Sequence, residues 1–374
     1  MAPDYSPAPV DGGAHTLTVE LFKGILNTFT VRGFSEKSAL PVAYFALSTW
    51  FSACLPEAPC LLITGPGPEA RLLLELLGCV VFNPLPLFEL SRADFLSLNA
   101  ALEPTMLLVQ ECMIDSFWQL MLSSNYRNAQ VPGANGMHKI YCAKAIYLGP
   151  ESAYADSDRN LLRIDLAPLR GCSPILEENE KKALSAEFQA RVRAYRQLNF
   201  IQVRESRFDL PGLGSAIRIL ARVLGAPIVS APEVQAALGH MLREYQQVIQ
   251  ESLWCDPKCI VIEAILFCSH QAEMERVHVG EITRVANTIR KGRGESMQLG
   301  PKEVGAIVRK LGLSATRDRK GFAIRLDESI RRNIHELASR FAVASAQEGA
   351  ALCAHCAEFL RFEPGNEGLR ASME

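Results

Sequence analysis

The 374-residue chain predicts an α/β protein: a largely parallel sheet with crossover helices, then a helical region, then a basic module of helices and a hairpin. Three observations carry that expectation. Short apolar runs alternate with helix-period segments between residues 60 and 170, the pattern of strand–helix–strand units. A Gly-Pro-Gly-Pro link joins the first of those runs to a helix. Charge is also unevenly placed: the formal net charge is −2, yet residues 276–332 hold 14 Lys and Arg against 6 Asp and Glu, so a basic module follows an acidic body. A nucleic acid is the natural partner of such a module.

Residues 1–15 lack both a basic start and an apolar stretch, so residues 1–16 are expected to be a disordered tail rather than a targeting signal. Residues 39–55 are uncharged and nearly long enough to span a membrane. Pro41 near the start of that stretch and the strand-like run soon after it favour a buried helix, and no membrane is expected. The run 60–64 reads as the first strand and 70–77 as its helix. A second short strand is expected at 79–82, then a helix capped by Ser91 and running to about residue 102. Residues 105–109 form a fully apolar third strand, 114–123 a helix, 131–136 a hairpin turn, and 144–148 and 161–166 further strands. Near residue 171 the composition shifts to helical segments at 174–199, 213–224 and 232–251. The expected division is a tail (1–16), a sheet domain (17–170), a helical region (171–256), a basic domain (257–345) and a second tail (346–374).

The link after the first strand has the shape of a phosphate-binding loop. Such a loop reads G-x-x-x-x-G-K-[ST], because backbone N–H groups wrap the phosphates, the lysine reaches them and the hydroxyl holds Mg²⁺. Here Gly65 matches and Gly67 lies inside the loop, but Ala70 stands for the second glycine, Arg71 for the lysine and Leu72 for the hydroxyl residue. Pro66 and Pro68 remove two N–H donors. The strand at 105–109 ends in Gln110-Glu111, where a metal-binding Asp is needed, and a neutral amide is a poor Mg²⁺ ligand. The site is expected to be a relic, so no cofactor is expected; ATP with Mg²⁺, bound without turnover or hydrolysed, is the alternative. A plain strand-to-helix turn also accounts for the loop taken alone.

In the basic module, helices are expected at 260–270, 278–291 and 301–312, the last with an apolar face of Val304, Ile307, Val308 and Leu311 opposite Lys302, Arg309 and Lys310. Two short strands at 314–319 and 321–326 flank a basic turn, and a fourth helix follows. This is the winged helix-turn-helix plan, with Lys302, Arg309 and Lys310 expected at the groove and Arg317, Arg319, Lys320 and Arg325 at the DNA backbone. Protein contact is the other use of such a domain. Eleven cysteines, several inside apolar runs, indicate the reduced thiols of a cytoplasmic protein. Cys255 with Cys259 and Cys353 with Cys356 offer four thiolates for one zinc, but two half-buried pairs are the simpler account and no metal is expected.

The runs at 104–111, 122–129 (Leu-Ser-Ser-Asn-Tyr-Arg-Asn-Ala), 141–146 and 157–164 (Ser-Asp-Arg-Asn-Leu-Leu-Arg-Ile) resemble the helicase-like ATPase region of phage- and plasmid-type primase–helicases. That resemblance implies a RecA/AAA-like P-loop fold with a helical region and a winged helix behind it. By position it makes Arg127 and Arg159 candidates for sensing a nucleotide or acting on a neighbouring subunit, with Glu111 a vestigial catalytic residue. It also implies a bacterial or mobile-element setting and either a homo-oligomer or a partner helicase subunit. The expected function is a catalytically degenerate helicase-like protein that binds DNA through its winged helix; an active ATP-dependent helicase or translocase and a protein-interaction adaptor are the alternatives.

Overall fold

The computed structural model describes residues 12–98, 103–110, 115–133, 136–149, 161–169, 175–254, 256–271, 275–341, 343 and 353–356. They fall into two compact units, residues 1–243 and 244–374.

The first unit begins with α1 (Gly12–Thr30) and α2 (Glu36–Thr49), then alternates strands and helices: β1 (Cys60–Thr64), α3 (Gly67–Val80), β2 (Pro84–Phe88), α4 (Arg92–Ser97), β3 (Thr105–Gln110), α5 (Asp115–Ser123), β4 (Gln130–Gly133), β5 (Gly136–Lys139), β6 (Ala143–Leu148) and β7 (Leu162–Asp165). Five strands form one parallel sheet in the order β2-β3-β6-β1-β7. This mixed α/β architecture fits a P-loop-like domain. Both faces of a parallel sheet must be covered, and alternate side chains do this here. Cys60, Leu62, Met106, Leu108 and Ile146 pack on one side with Phe95 of α4 and Trp118 and Met121 of α5. Leu61, Ile63, Leu107 and Ala145, the alternate residues of the same strands, are also buried. β4 and β5 form a separate antiparallel ribbon around the expected turn.

Several elements depart from expectation. Helix α1 starts at Gly12, inside the stretch expected as a tail. The uncharged stretch forms α2, buried from Val42 to Thr49, and among the described residues no helix is long and apolar enough to cross a membrane. The strand expected at 79–82 is not one: Cys79 and Val80 are the last turn of α3, extending the buried face of Leu72, Leu73, Leu76 and Leu77. The real second strand, β2, contains Pro84 and Pro86. It is tolerated because β2 is the sheet edge, where a missing N–H costs no ladder bond. Helix α4 stops at Ser97, with Ser91 accepting the Asp94 N–H as its cap. The helices α6 (Glu178–Glu205), α7 (Ser215–Gly225) and α8 (Pro232–Trp254) follow, the last running past residue 243. Gln189 of α6 donates to the carbonyls of Cys79 and Val81 at 3.3 and 3.2 Å, fastening α6 to the end of α3.

The second unit contains α9 (Pro257–Ser269), β8 (Arg276–His278), α10 (Val279–Gly292), α11 (Pro301–Lys310), β9 (Ala315–Asp318), β10 (Gly321–Arg325) and α12 (Glu328–Arg340). The expected helices and hairpin are present; β8, only three residues long, adds a third strand in the antiparallel order β8-β10-β9. Ile260, Ile265, Val277, Ile282, Val304, Val308, Ile324 and Ile334 converge on one core. Asn287 of α10 holds the segment entering α11 by donating to the Leu299 carbonyl at 3.0 Å and accepting its N–H at 2.8 Å. Burying Val304 and Val308 on one side turns the opposite face of α11 to solvent.

Candidate functional site

The phosphate-loop-like corner lies where β1 runs into α3. Only Gly65 and Pro66 separate the strand from the helix. Gly65 has φ +113°, and a Cβ there would lie 2.5 Å from the Leu166 carbonyl oxygen, so the position tolerates no side chain. The surrounding polar atoms bond to one another. Tyr147 donates to the Gly65 carbonyl at 3.2 Å, and Thr64 donates to Ile164 O and Asp165 Oδ1, each at 3.1 Å. In the first turn of α3, Pro68 has no N–H and the Ala70 N–H bonds Pro66 O at 3.1 Å. Gly67 and Glu69 remain as first-turn donors, and Glu69 brings a carboxylate, held by the Leu169 N–H at 3.0 Å, to the end of the helix that would face a phosphate. Ala70 and Leu72 are fully buried in the core, while Arg71 points outward along the exposed side of the helix.

Gln110 is likewise engaged. Its Oε1 accepts the Leu90 N–H at 2.9 Å and its Nε2 donates to Glu89 Oε2 at 2.9 Å, so it ties the end of β3 to the segment leaving β2. Arg127 spreads its guanidinium over the carbonyls of Ser52, Ala53 and Leu55 at 3.0, 2.6 and 2.5 Å, with Tyr141 beneath it. Those carbonyls end the turn after α2, where a cation is favourable. Glu111 and Arg159 lie outside the described residues. One buried cation escaped the sequence reading: Lys144 on β6 is fully buried, with its Nζ on Asn125 Oδ1. Nothing in its strand-like surroundings separates it from an edge lysine until the sheet order places β6 at the centre.

The basic surface of the second unit is built differently. Lys302, Arg309 and Lys310 on α11, and Arg317, Arg319, Lys320 and Arg325 on the β9–β10 hairpin, are all exposed. The hairpin turns through Arg319 and Lys320 alone, because Asp318 pairs directly with Gly321, whose φ is +125°. Asp318, the acid of the hairpin, is tied to its own chain. Its carboxylate accepts the Lys320 N–H at 2.8 Å and approaches His278 Nε2 at 3.0 Å, contacts that hold it below the usual carboxylate range, the backbone N–H foremost. Arg325 lies directly opposite Arg276 across β10 and β8, an unfavourable pairing of like charges.

The arginines of the neighbouring helix are balanced within the chain. Arg284 pairs with Glu281, Arg290 with Glu295 at 2.5 Å, and Arg293 with Glu263. Among the described residues, no acidic group lies in salt-bridge range of the seven basic residues on α11 and the hairpin. Phe322, 54% exposed, stands among them on β10; the sequence reading did not single it out.

Of the four cysteines considered for zinc, Cys255 lies outside the described residues and Cys259 is buried in α9. Cys353 and Cys356 do come together, with His270 and His335 rather than with the other thiols.

No family model matches this sequence, and no curated protein matches it. Among solved structures, the chain is similar to a Drosophila ORC bound to DNA, at 14% identity over 90% of this chain and 94% of that one, with a TM-score of 0.23. It is also similar to Cdc6p from Pyrobaculum aerophilum (11% identity, 90% and 96% covered, TM-score 0.20). A third is the ORC2 protein of Aeropyrum pernix (8% identity, 91% and 98% covered, TM-score 0.19). Scores of this size do not establish a shared fold; it is the parallel sheet itself that fits a P-loop-like domain.

Proposed function

We propose that this chain is a DNA-binding protein built on a degenerate, helicase-like P-loop domain, in which residues 257–345 act as a winged helix and nucleotide turnover has been lost. Helix α11 enters the groove with Lys302, Arg309 and Lys310, and the hairpin lays Arg317, Arg319, Lys320 and Arg325 on the phosphates. The observation that carries this reading is the division of the basic residues. The arginines on and just after α10, Arg284, Arg290 and Arg293, are paired with Glu281, Glu295 and Glu263, whereas the seven basic residues on α11 and the hairpin have no acidic partner among the described residues. A surface that retains unpaired cations, including two arginines placed opposite each other, is stabilised by a polyanion.

Loss of turnover is supported by the corner at Gly65. The two-residue link and the missing proline N–H groups leave little of a phosphate cradle, Glu69 adds negative charge there, and Gln110 is bound to Glu89. Arg127 serves on this reading as a brace for the turn after α2, not as a nucleotide sensor. The winged-helix assignment is tested by reversing Arg309 and Lys310 to Glu and measuring retention on duplex DNA at low salt. Retention is expected to disappear while the folded state persists by circular dichroism. Unchanged binding by the folded variant would contradict the assignment.

A further inference from the structure

Two histidines and two cysteines that the proposed DNA surface does not use converge at one point of the second unit. His270 is the residue at which α9 ends, and His335 lies on the buried side of α12, 4% exposed. Arg331 of α12 donates to the Ser269 carbonyl, which holds the end of α9 against α12 and brings the two imidazoles together. The Nε2 atoms of His270 and His335 are 3.0 Å apart, Cys353 Sγ is 3.3 Å from His335 Nε2, and Cys356 Sγ is 3.2 Å from His270 Nε2. All four donor atoms lie within 4.8 Å of one another.

Hydrogen bonding alone serves this cluster poorly. His335 Nδ1 lies 2.7 Å from the Arg331 carbonyl, which can only accept, so Nδ1 carries the proton and Nε2 of the neutral ring carries a lone pair. That single lone pair is approached by both His270 Nε2 and Cys353 Sγ. A ring whose far nitrogen donates to a backbone carbonyl while its near nitrogen faces other donor atoms is the usual arrangement of a metal-bound histidine. Tetrahedral zinc, with bonds of about 2.0–2.1 Å to nitrogen and about 2.3 Å to sulfur, sets its ligand atoms about 3.3–3.8 Å apart. The three shortest separations here, 3.0, 3.2 and 3.3 Å, lie at or just below the lower end of that range, and all four atoms fall within 4.8 Å.

We propose that His270, His335, Cys353 and Cys356 form a closed structural zinc site that fastens the segment 353–356 to the end of α9 and the middle of α12. Two thiolates and two imidazoles favour zinc over the oxygen-seeking cations, and four protein ligands leave no position for a reacting water. Binding exchanges the two thiol protons for the metal, with no change of oxidation state. His355, between the cysteines, is not a ligand; its Nε2 is 3.1 Å from Glu328 Oε1.

The test is metal analysis of the full chain purified from zinc-supplemented cells, followed by chelation and titration with Co²⁺. One zinc per chain is expected, and Co²⁺ should give visible tetrahedral bands with a thiolate charge-transfer band in the near ultraviolet. Cys353→Ser and Cys356→Ser should each lower zinc content by roughly tenfold or more, while Cys259→Ser, buried in the same unit but outside the cluster, should retain it. Because the Co²⁺ spectrum is read on the unmutated chain, a variant that fails to fold does not decide the question. Zinc well below stoichiometric with no tetrahedral Co²⁺ spectrum, or full metal retention by a chain carrying both serine substitutions, would overturn the proposal.

Discussion

The corner at Gly65 and the face formed by α11 and the hairpin both bring together side chains suited to phosphate, yet they treat those side chains in opposite ways. At the corner the polar groups are used within the fold: Gln110 by Leu90 and Glu89, Tyr147 by Gly65, Glu69 by Leu169. On the basic face the charges have no acidic partner among the described residues, and Asp318, the acid of the hairpin, is bound to the Lys320 N–H and His278. A binding surface is better recognised by groups the fold leaves unpaired than by letters that match a motif. The Gly65 corner has the strand–link–helix order of a phosphate site, but its polar side chains are committed within the fold; the basic face has only a diffuse pattern, but its charges are not paired with acids among the described residues.

Five substitutions sharpen this contrast, from the largest expected effect to the smallest. Gly65→Ala places a Cβ 2.5 Å from the Leu166 carbonyl oxygen at a positive φ, and should cost about 3 kcal/mol in chemical denaturation. Once folded, that variant should bind duplex DNA as the parent does; a selective loss of DNA binding would show that the corner belongs to the nucleic-acid surface. Gln110→Leu strands the buried Leu90 N–H, with an expected cost of about 1–3 kcal/mol. No measurable loss would mean that the amide is free for another task.

Arg309→Ala and Arg284→Ala compare an unpaired with a paired arginine. The first should lower the slope of log K against log salt for duplex binding by about one, and the second by clearly less, since Glu281 already balances Arg284. Equal slopes would remove the distinction on which the proposed function rests. Arg71→Ala, on the exposed side of α3, should alter stability by no more than about 0.5 kcal/mol. A larger change on adding ATP to the parent but not to the variant would reveal a working phosphate contact.

Much of the framework could be read from residue order. The apolar runs at β1, β3 and β6 and the i, i+3, i+4 face of α11 are each strong local signals, and the structure places strands and a helix there. β2 was missed because Pro84 and Pro86 argue against a strand until it is known to be an edge, and β8 because three residues carry no periodicity. Cys79 and Val80 looked like a strand because their apolar neighbours suit either period; the length of α3 decided it. At the candidate sites, residue type was legible but partnership was not. Gln110 is legible as a departure from an acid, but its attachment to Glu89 depends on the β2–β3 pairing. The cysteine pair at 353 and 356 stood out by spacing, whereas His270 and His335 join it only because α9 packs against α12.

The most direct measurement titrates labelled duplex DNA and labelled ATP against the same purified full-length protein at two salt concentrations. The predicted result is duplex binding that weakens steeply as salt rises, with no ATP hydrolysis whether or not DNA is present. Hydrolysis that is stimulated by DNA and reduced by Arg71→Ala, or duplex binding at low salt no stronger than that of the Arg309→Glu, Lys310→Glu variant, would contradict the account.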